Sequence, residues 1–157
     1  MRVRSYMDSD KKQVIDLILN IQNCEAKINL TLDEQPDLSE IESYYMGRGG
    51  NFWIAEENGE VIGTIGLMVL ENKVGVLKKF FVRSDYRGKR IGLMLFDALM
   101  EYGRSKGLDL LILDTPSVAH KSHLFYEKAG FVRTTKESLP VAYEYPDRDS
   151  LLYMLNM

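Results

Sequence analysis

The stretch best equipped for chemistry is Leu77 to Gly92, LKKFFVRSDYRGKRIG. An apolar run holding Lys78 and Lys79 breaks into a polar turn, Arg83 to Tyr86, and closes on Arg87-Gly88-Lys89-Arg90-Ile91-Gly92. Beyond it Ile91, Met94, Leu95, Ala98, Leu99 and Tyr102 recur at helical spacing. Strand, basic glycine-containing loop and helix in that order make an anion site. The first N–H groups of a helix lack intrahelical partners, and its dipole adds positive potential there. Gly88 can take a positive φ and let a phosphate approach the backbone. The other reactive side chains form no nucleophile constellation: there is no Gly-x-Ser-x-Gly, and Cys24, the only cysteine, has no neighbouring base. His120 and His123 stand at i, i+3 without a partner carboxylate motif, so they read as rim histidines and no metal is expected.

The arrangement resembles the GNAT superfamily of acyl-CoA N-acyltransferases, whose signature is a strand followed by Gln/Arg-x-x-Gly-x-Gly/Ala. Arg87, Ile91 and Gly92 fit, and Gly88 fits the Arg-Gly variant. Arg90 stands at the usual middle glycine and is expected to offer its N–H from an ordinary helical conformation, side chain outward. Phe125-Tyr126-Glu127-Lys128-Ala129-Gly130-Phe131 resembles the family's Leu-Tyr-Glu-x-x-Gly-Phe segment. The resemblance implies acetyl-CoA as co-substrate, its pyrophosphate on Arg87, Gly88, Lys89, Arg90, Ile91 and Gly92. It implies two strands that splay apart, with the backbone of Phe80, Phe81 and Val82 pairing the pantetheine amides and donating to the acetyl carbonyl. Tyr126 takes the role of general acid toward the leaving thiolate. Ala119 and Ser122 stand where the family often has asparagine and alanine along the cofactor, and positions 119, 122, 123 and 126 share one helical face. Val76 replaces a frequent glutamate, leaving Asp114, Glu34 or a water chain as base.

Positioning these residues takes a mixed α/β sheet with helices on both faces. Arg2 to Met7 reads as a strand and is followed by a helix with Val14, Leu17, Ile18 and Ile21 on one face. Asn23 to Pro36 reads as a loop with at most a short helical turn. A second helix opens at Pro36 and turns Leu38, Ile41, Tyr44 and Tyr45 inward. Asn58-Gly59 is a hairpin signal between strands at Phe52–Ala55 and Val61–Leu70, and Val74–Val82 completes an antiparallel meander. Leu110 to Leu113 is apolar on both faces, as a central strand parallel to Val74–Val82 should be. Thr115 or Ser117, with Pro116, is expected to open the helix that carries Tyr126. Phe131 and Leu151–Leu155 start and supply the last strands.

At 157 residues the chain reads as one domain with one core, which the resemblance makes a single N-acetyltransferase domain, 1–157. A net charge of −3 argues against a bulk nucleic-acid binder despite the basic loop. The N-terminal stretch lacks an apolar signal region and no run is long enough to span a membrane, so the expected location is the cytoplasm. The acceptor is expected to be a primary amine of a small molecule or an exposed amine. Two acidic segments are expected to rim its site: Glu25, Asp33, Glu34 and Asp37, then Glu144, Asp147 and Asp149 with Tyr143 and Tyr145. Together they favour a cationic guest. Homodimers are common among such proteins. The alternative class is a non-catalytic acyl-CoA-binding regulatory module, which the altered Arg90, Ala119 and Val76 keep open.

Overall fold

A computed structural model describes residues 1–143 and 149–157. Its strands are β1 (Arg2–Ser5), β2 (Asn51–Glu57), β3 (Glu60–Val69), β4 (Val74–Val82), β5 (Leu110–Pro116), β6 (Val132–Thr134) and β7 (Ser150–Asn156). They form one sheet in the order β1-β2-β3-β4-β5-β7-β6, antiparallel except for β4 with β5. The helices are α1 (Lys11–Asn20), α2 (Pro36–Ser39), α3 (Ile41–Tyr44), α4 (Ile91–Ser105) and α5 (His120–Lys128).

The hairpin forms where Asn58-Gly59 allows it, with φ of 53° and 78°, the paired left-handed conformation that matches strand twist. One apolar layer packs α4 and α5 on the sheet through Leu95, Leu99, Leu111, Leu113, Tyr126 and Phe131. The layer on the other face joins Val14, Ile18, Leu38, Ile41 and Tyr45 to Phe52 and Ile54. Leu111, Ile112 and Leu113 are all fully buried, because β5 is covered on both sides.

Two local expectations are corrected, and one is filled in. The second helix is broken into the short α2 and α3, since Glu40 between them leaves the helical region at φ −137°, ψ 50°. The short helical turn allowed for after α1 is a π turn, Ile21–Glu25. Pro116 does not open α5: β5 continues through it because β7 pairs there, Pro116 opposite Ser150, and the helix starts at His120.

Candidate active site

The parallel pairing of β4 and β5 covers only Val74, Gly75 and Val76 against Leu110, Leu111 and Ile112. Both strands run on, to Val82 and to Pro116, without a partner in each other. The expected split is therefore present. The Arg83 N–H donates to the Ile62 carbonyl at 2.8 Å, so by strand alternation the N–H and C=O groups of Val82 and Phe80 face away from β3, into the split. The Val82 carbonyl accepts from Arg87 Nε at 2.9 Å. Phe80 thus offers an open strand edge to any ligand that brings its own amides.

A bulge lies just above the end of the pairing. Phe81 faces Thr64 and Lys78 faces Gly66, leaving two residues of β4, Lys79 and Phe80, opposite Ile65 alone. Lys79 makes the extra step at φ 53°, and Thr64 Oγ1 donates to its carbonyl at 2.7 Å.

In the loop, Gly88 has φ 79°, with no atom within 4 Å of where a Cβ would stand. Backbone therefore fronts open space here, as a phosphate approach requires. Arg90 departs from expectation: it precedes the first residue of α4 in the left-handed region, φ 63°, ψ 15°. It adopts the conformation for which glycine is usual, at a cost of about 1–2 kcal/mol. A Cβ on Gly92 would sit 3.5 Å from the Phe80 ring, so α4 begins packed against the open strand. Arg87 also pairs with Glu25 at 2.7 Å, joining the loop to the π turn. Lys89 Nζ lies 5.0 Å from the Tyr86 ring centroid, and that ring also carries the Arg83 guanidinium at 4.8 Å.

Tyr126, on α5, is 6% exposed. Its ring lies 6.4 Å from Phe80 across the split, 5.6 Å from Phe131 and 6.1 Å from Tyr153. Its hydroxyl makes no hydrogen bond among the described residues. Burial, and then the nearby Asp114 charge, push its pKa above the ordinary tyrosine value, so it holds its proton at neutral pH. Ala119 precedes α5 at φ −83°, ψ 63°, and half-buried Ser122 lies in the first turn. His123 is anchored through Nε2 to the Pro116 carbonyl at 2.9 Å.

Asp114 lies on the other face of the sheet from Tyr126. It shares that face with Ile112, which clusters with Val76 and Tyr143, while Leu111 and Leu113 join the layer of Tyr126. The Tyr143 hydroxyl donates to Asp114 Oδ1. Glu34 is exposed and accepts from the Thr31 N–H and Oγ1, each at 3.2 Å. Of the two acidic segments, Glu25 is paired with Arg87, Asp37 accepts the Tyr45 hydroxyl at 2.6 Å, and Asp149 accepts from Ser117 at 2.6 Å. Glu144, Tyr145 and Asp147 lie outside the described residues.

One polar group was missed from sequence. The Lys79 ammonium, with its side chain 12% exposed, donates to Gln35 Oε1 at 2.5 Å and lies 3.8 Å from Asp37 Oδ2. Gln35 and Gln22, both buried, exchange amide hydrogen bonds of 2.8 and 2.9 Å. The only signal was a pair of lysines inside an apolar run.

An open strand edge, a positive helix start beside it and a protonated buried tyrosine across from it suit acyl transfer from a phosphate-bearing thioester. Comparison with known proteins agrees. Residues 16–131 match the Acetyltransferase (GNAT) family. The fold superimposes on an acetyltransferase from Streptococcus agalactiae 2603 with TM-score 0.96 and 41% identity, over 99% of this chain and 98% of that one. A GNAT-family acetyltransferase from Staphylococcus aureus Mu50 gives 0.95 and 35%, over 99% and 98%. The N-acetylaspartate synthetase of Xenopus tropicalis is 35% identical over 97 residues, 60% of this chain and 36% of that one. The chain spans about half the length of the curated relatives it matches.

Proposed function

Given that the chain belongs to the GNAT family of acetyltransferases, we propose that it transfers an acetyl group from acetyl-CoA directly to a primary amine. The observation that carries this is the split itself: the open Phe80–Val82 edge lies between the start of α4 and Tyr126.

The residues present suit the cofactor. Gly88, Lys89, Arg90, Ile91 and Gly92 would hold the pyrophosphate, on free N–H groups and positive side chains. The Phe80 carbonyl and the Val82 N–H would pair the pantetheine amides, and the Phe80 N–H would face the acetyl carbonyl as charge develops on its oxygen. Ala119 and Ser122 would border the pantetheine on the α5 side. When bound, acetyl-CoA supplies an activated thioester carbonyl and a thiol leaving group. The amine nitrogen bonds to that carbon, the C–S bond breaks, and Tyr126 gives its proton to the departing sulfur. The amine must first lose a proton, which at pH 7 costs about 4.6 kcal/mol for an alkyl amine of pKa 10.4. Asp114, on the face opposite Tyr126, is the base this geometry favours, directly or through water; Glu34 is the alternative.

The test is thiol release from acetyl-CoA over a panel of amines. Amine-dependent release with acetylated product supports the reading. Tight coenzyme A binding with no release under any amine would instead favour a non-catalytic binding module.

A further inference from the structure

Lys79 is the feature that acetyl transfer leaves unexplained. It stands at the bulge of β4, where the split opens, and its side chain reaches Gln35 before α2. The bulge needs a left-handed residue, which glycine would supply without strain and without burying an ammonium. The lysine is strained in its backbone and desolvated in its head group. Burial outweighs the attraction of Asp37 and holds its pKa below the ordinary lysine value. Its single hydrogen bond among the described residues goes to a neutral amide oxygen. Asp37, the nearest carboxylate among the described residues, pairs with it at 3.8 Å, beyond hydrogen-bond distance, and the same oxygen takes the Tyr45 hydroxyl. Two of the three ammonium donors make no hydrogen bond among the described residues.

Asp114 complements it from the facing strand. It stands on the face of the sheet shared by Ile112, Val76 and Tyr143, opposite the layer that holds Tyr126. The split therefore carries a cation on β4 and an anion on β5. Resting on the acetyl-transfer reading above, we infer that the acceptor is an α-amino acid or a similar amine with a carboxylate one carbon away, its carboxylate on Lys79 and its amine toward Asp114. The acidic segments that suggest a purely cationic guest are otherwise engaged at Glu25 and Asp37.

The test uses acceptors matched in side chain: free amino acids, their carboxamides, the amines lacking the carboxyl group, and a polyamine. Thiol release should give amino acids kcat/KM above their carboxamides by about tenfold, the scale of one hydrogen bond to a charged group, expressed in KM. Lys79→Met should bring the ratio near one, and Lys79→Arg should restore a preference. Circular dichroism and coenzyme A titration check that each variant is folded. Carboxamides used as well as acids, a polyamine preferred over both, or a Lys79→Met that slows all acceptors alike would overturn the inference. If no amine is acetylated, the transfer reading fails by itself. Calorimetric titration of the acid and amide pairs into the coenzyme A-saturated protein then decides: tighter binding of the acids sustains the carboxylate site, and equal binding removes it.

Discussion

Tyr126→Phe removes one oxygen atom from a ring that keeps its neighbours Phe80, Phe131 and Tyr153. The hydroxyl makes no hydrogen bond among the described residues, so its loss breaks none there. The expected stability change is within about 0.5 kcal/mol, or about 1–2 °C in Tm for a chain of this size. Turnover is another matter. A thiol of pKa about 8.5 leaving as thiolate at pH 7 forgoes about 1.5 pK units, or about 2 kcal/mol, roughly thirtyfold in rate. A positioned donor acts in the transition state as well, which brings the expected fall in kcat to about 10². The coenzyme A dissociation constant should not move. Tyr126 titrates above the ordinary tyrosine range, so the wild-type rate should rise with pH as amine deprotonates and show no Tyr126-dependent fall below about pH 10. Steady-state thiol release across pH, with calorimetry for coenzyme A, measures both. Equal kcat in mutant and wild type at every pH would refute the acid role and leave Tyr126 a packing residue.

Three further expectations follow from the geometry. Gly88→Val should lower coenzyme A affinity at least about tenfold while the fold persists, because a β-branched residue resists φ 79° although nothing blocks its Cβ; an unchanged calorimetric Kd would remove the phosphate from this loop. Asp114→Asn should cut kcat by about 10², whereas the same loss in Glu34→Gln and not in Asp114→Asn would move the base to Glu34. Asp10 accepts two 2.8 Å bonds from Arg4 and one from the Met7 N–H, and Arg4 holds its pKa below the ordinary value. Its contribution to stability is present above about pH 4, the unfolded value, and is lost as pH falls through the lower folded value. Asp10→Asn should cost about 3 kcal/mol at pH 7 and flatten that acid limb in urea titrations, and an unaltered limb would count against the pairing.

The sequence shows the strand, loop and α4 clearly because one apolar run and one helical period meet at a basic turn. It also shows the parallel pair, through the two-sided apolarity of Leu110 to Leu113. Pro116 misleads, since proline suits a first helical turn and equally ends a strand, and only the pairing with Ser150 chooses between them. The π turn at Ile21–Glu25 has no period to be recognised by. Arg90 in a left-handed conformation runs against its own preference and is imposed by the join of loop and helix. Lys79 is the largest omission. A lysine in a strand reads as solvent-facing, and the bulge that turns it into the interior comes from a register shift against β3 that local sequence does not encode.

Where the pairing of β4 and β5 stops has a mechanical meaning. β1 to β4 and β5 to β7 are two halves of the sheet, joined by the pairing of Val74–Val76 with Leu110–Ile112. A ligand lying along Phe80 and Val82 would act as a removable rung between the halves. Occupancy and cohesion would then be one quantity: saturation at 100 times Kd adds about 2.7 kcal/mol against unfolding. Slowed hydrogen exchange should concentrate at the amides lining the seam, so that an acyl-CoA pool around the protein would be written into how long it resists a protease.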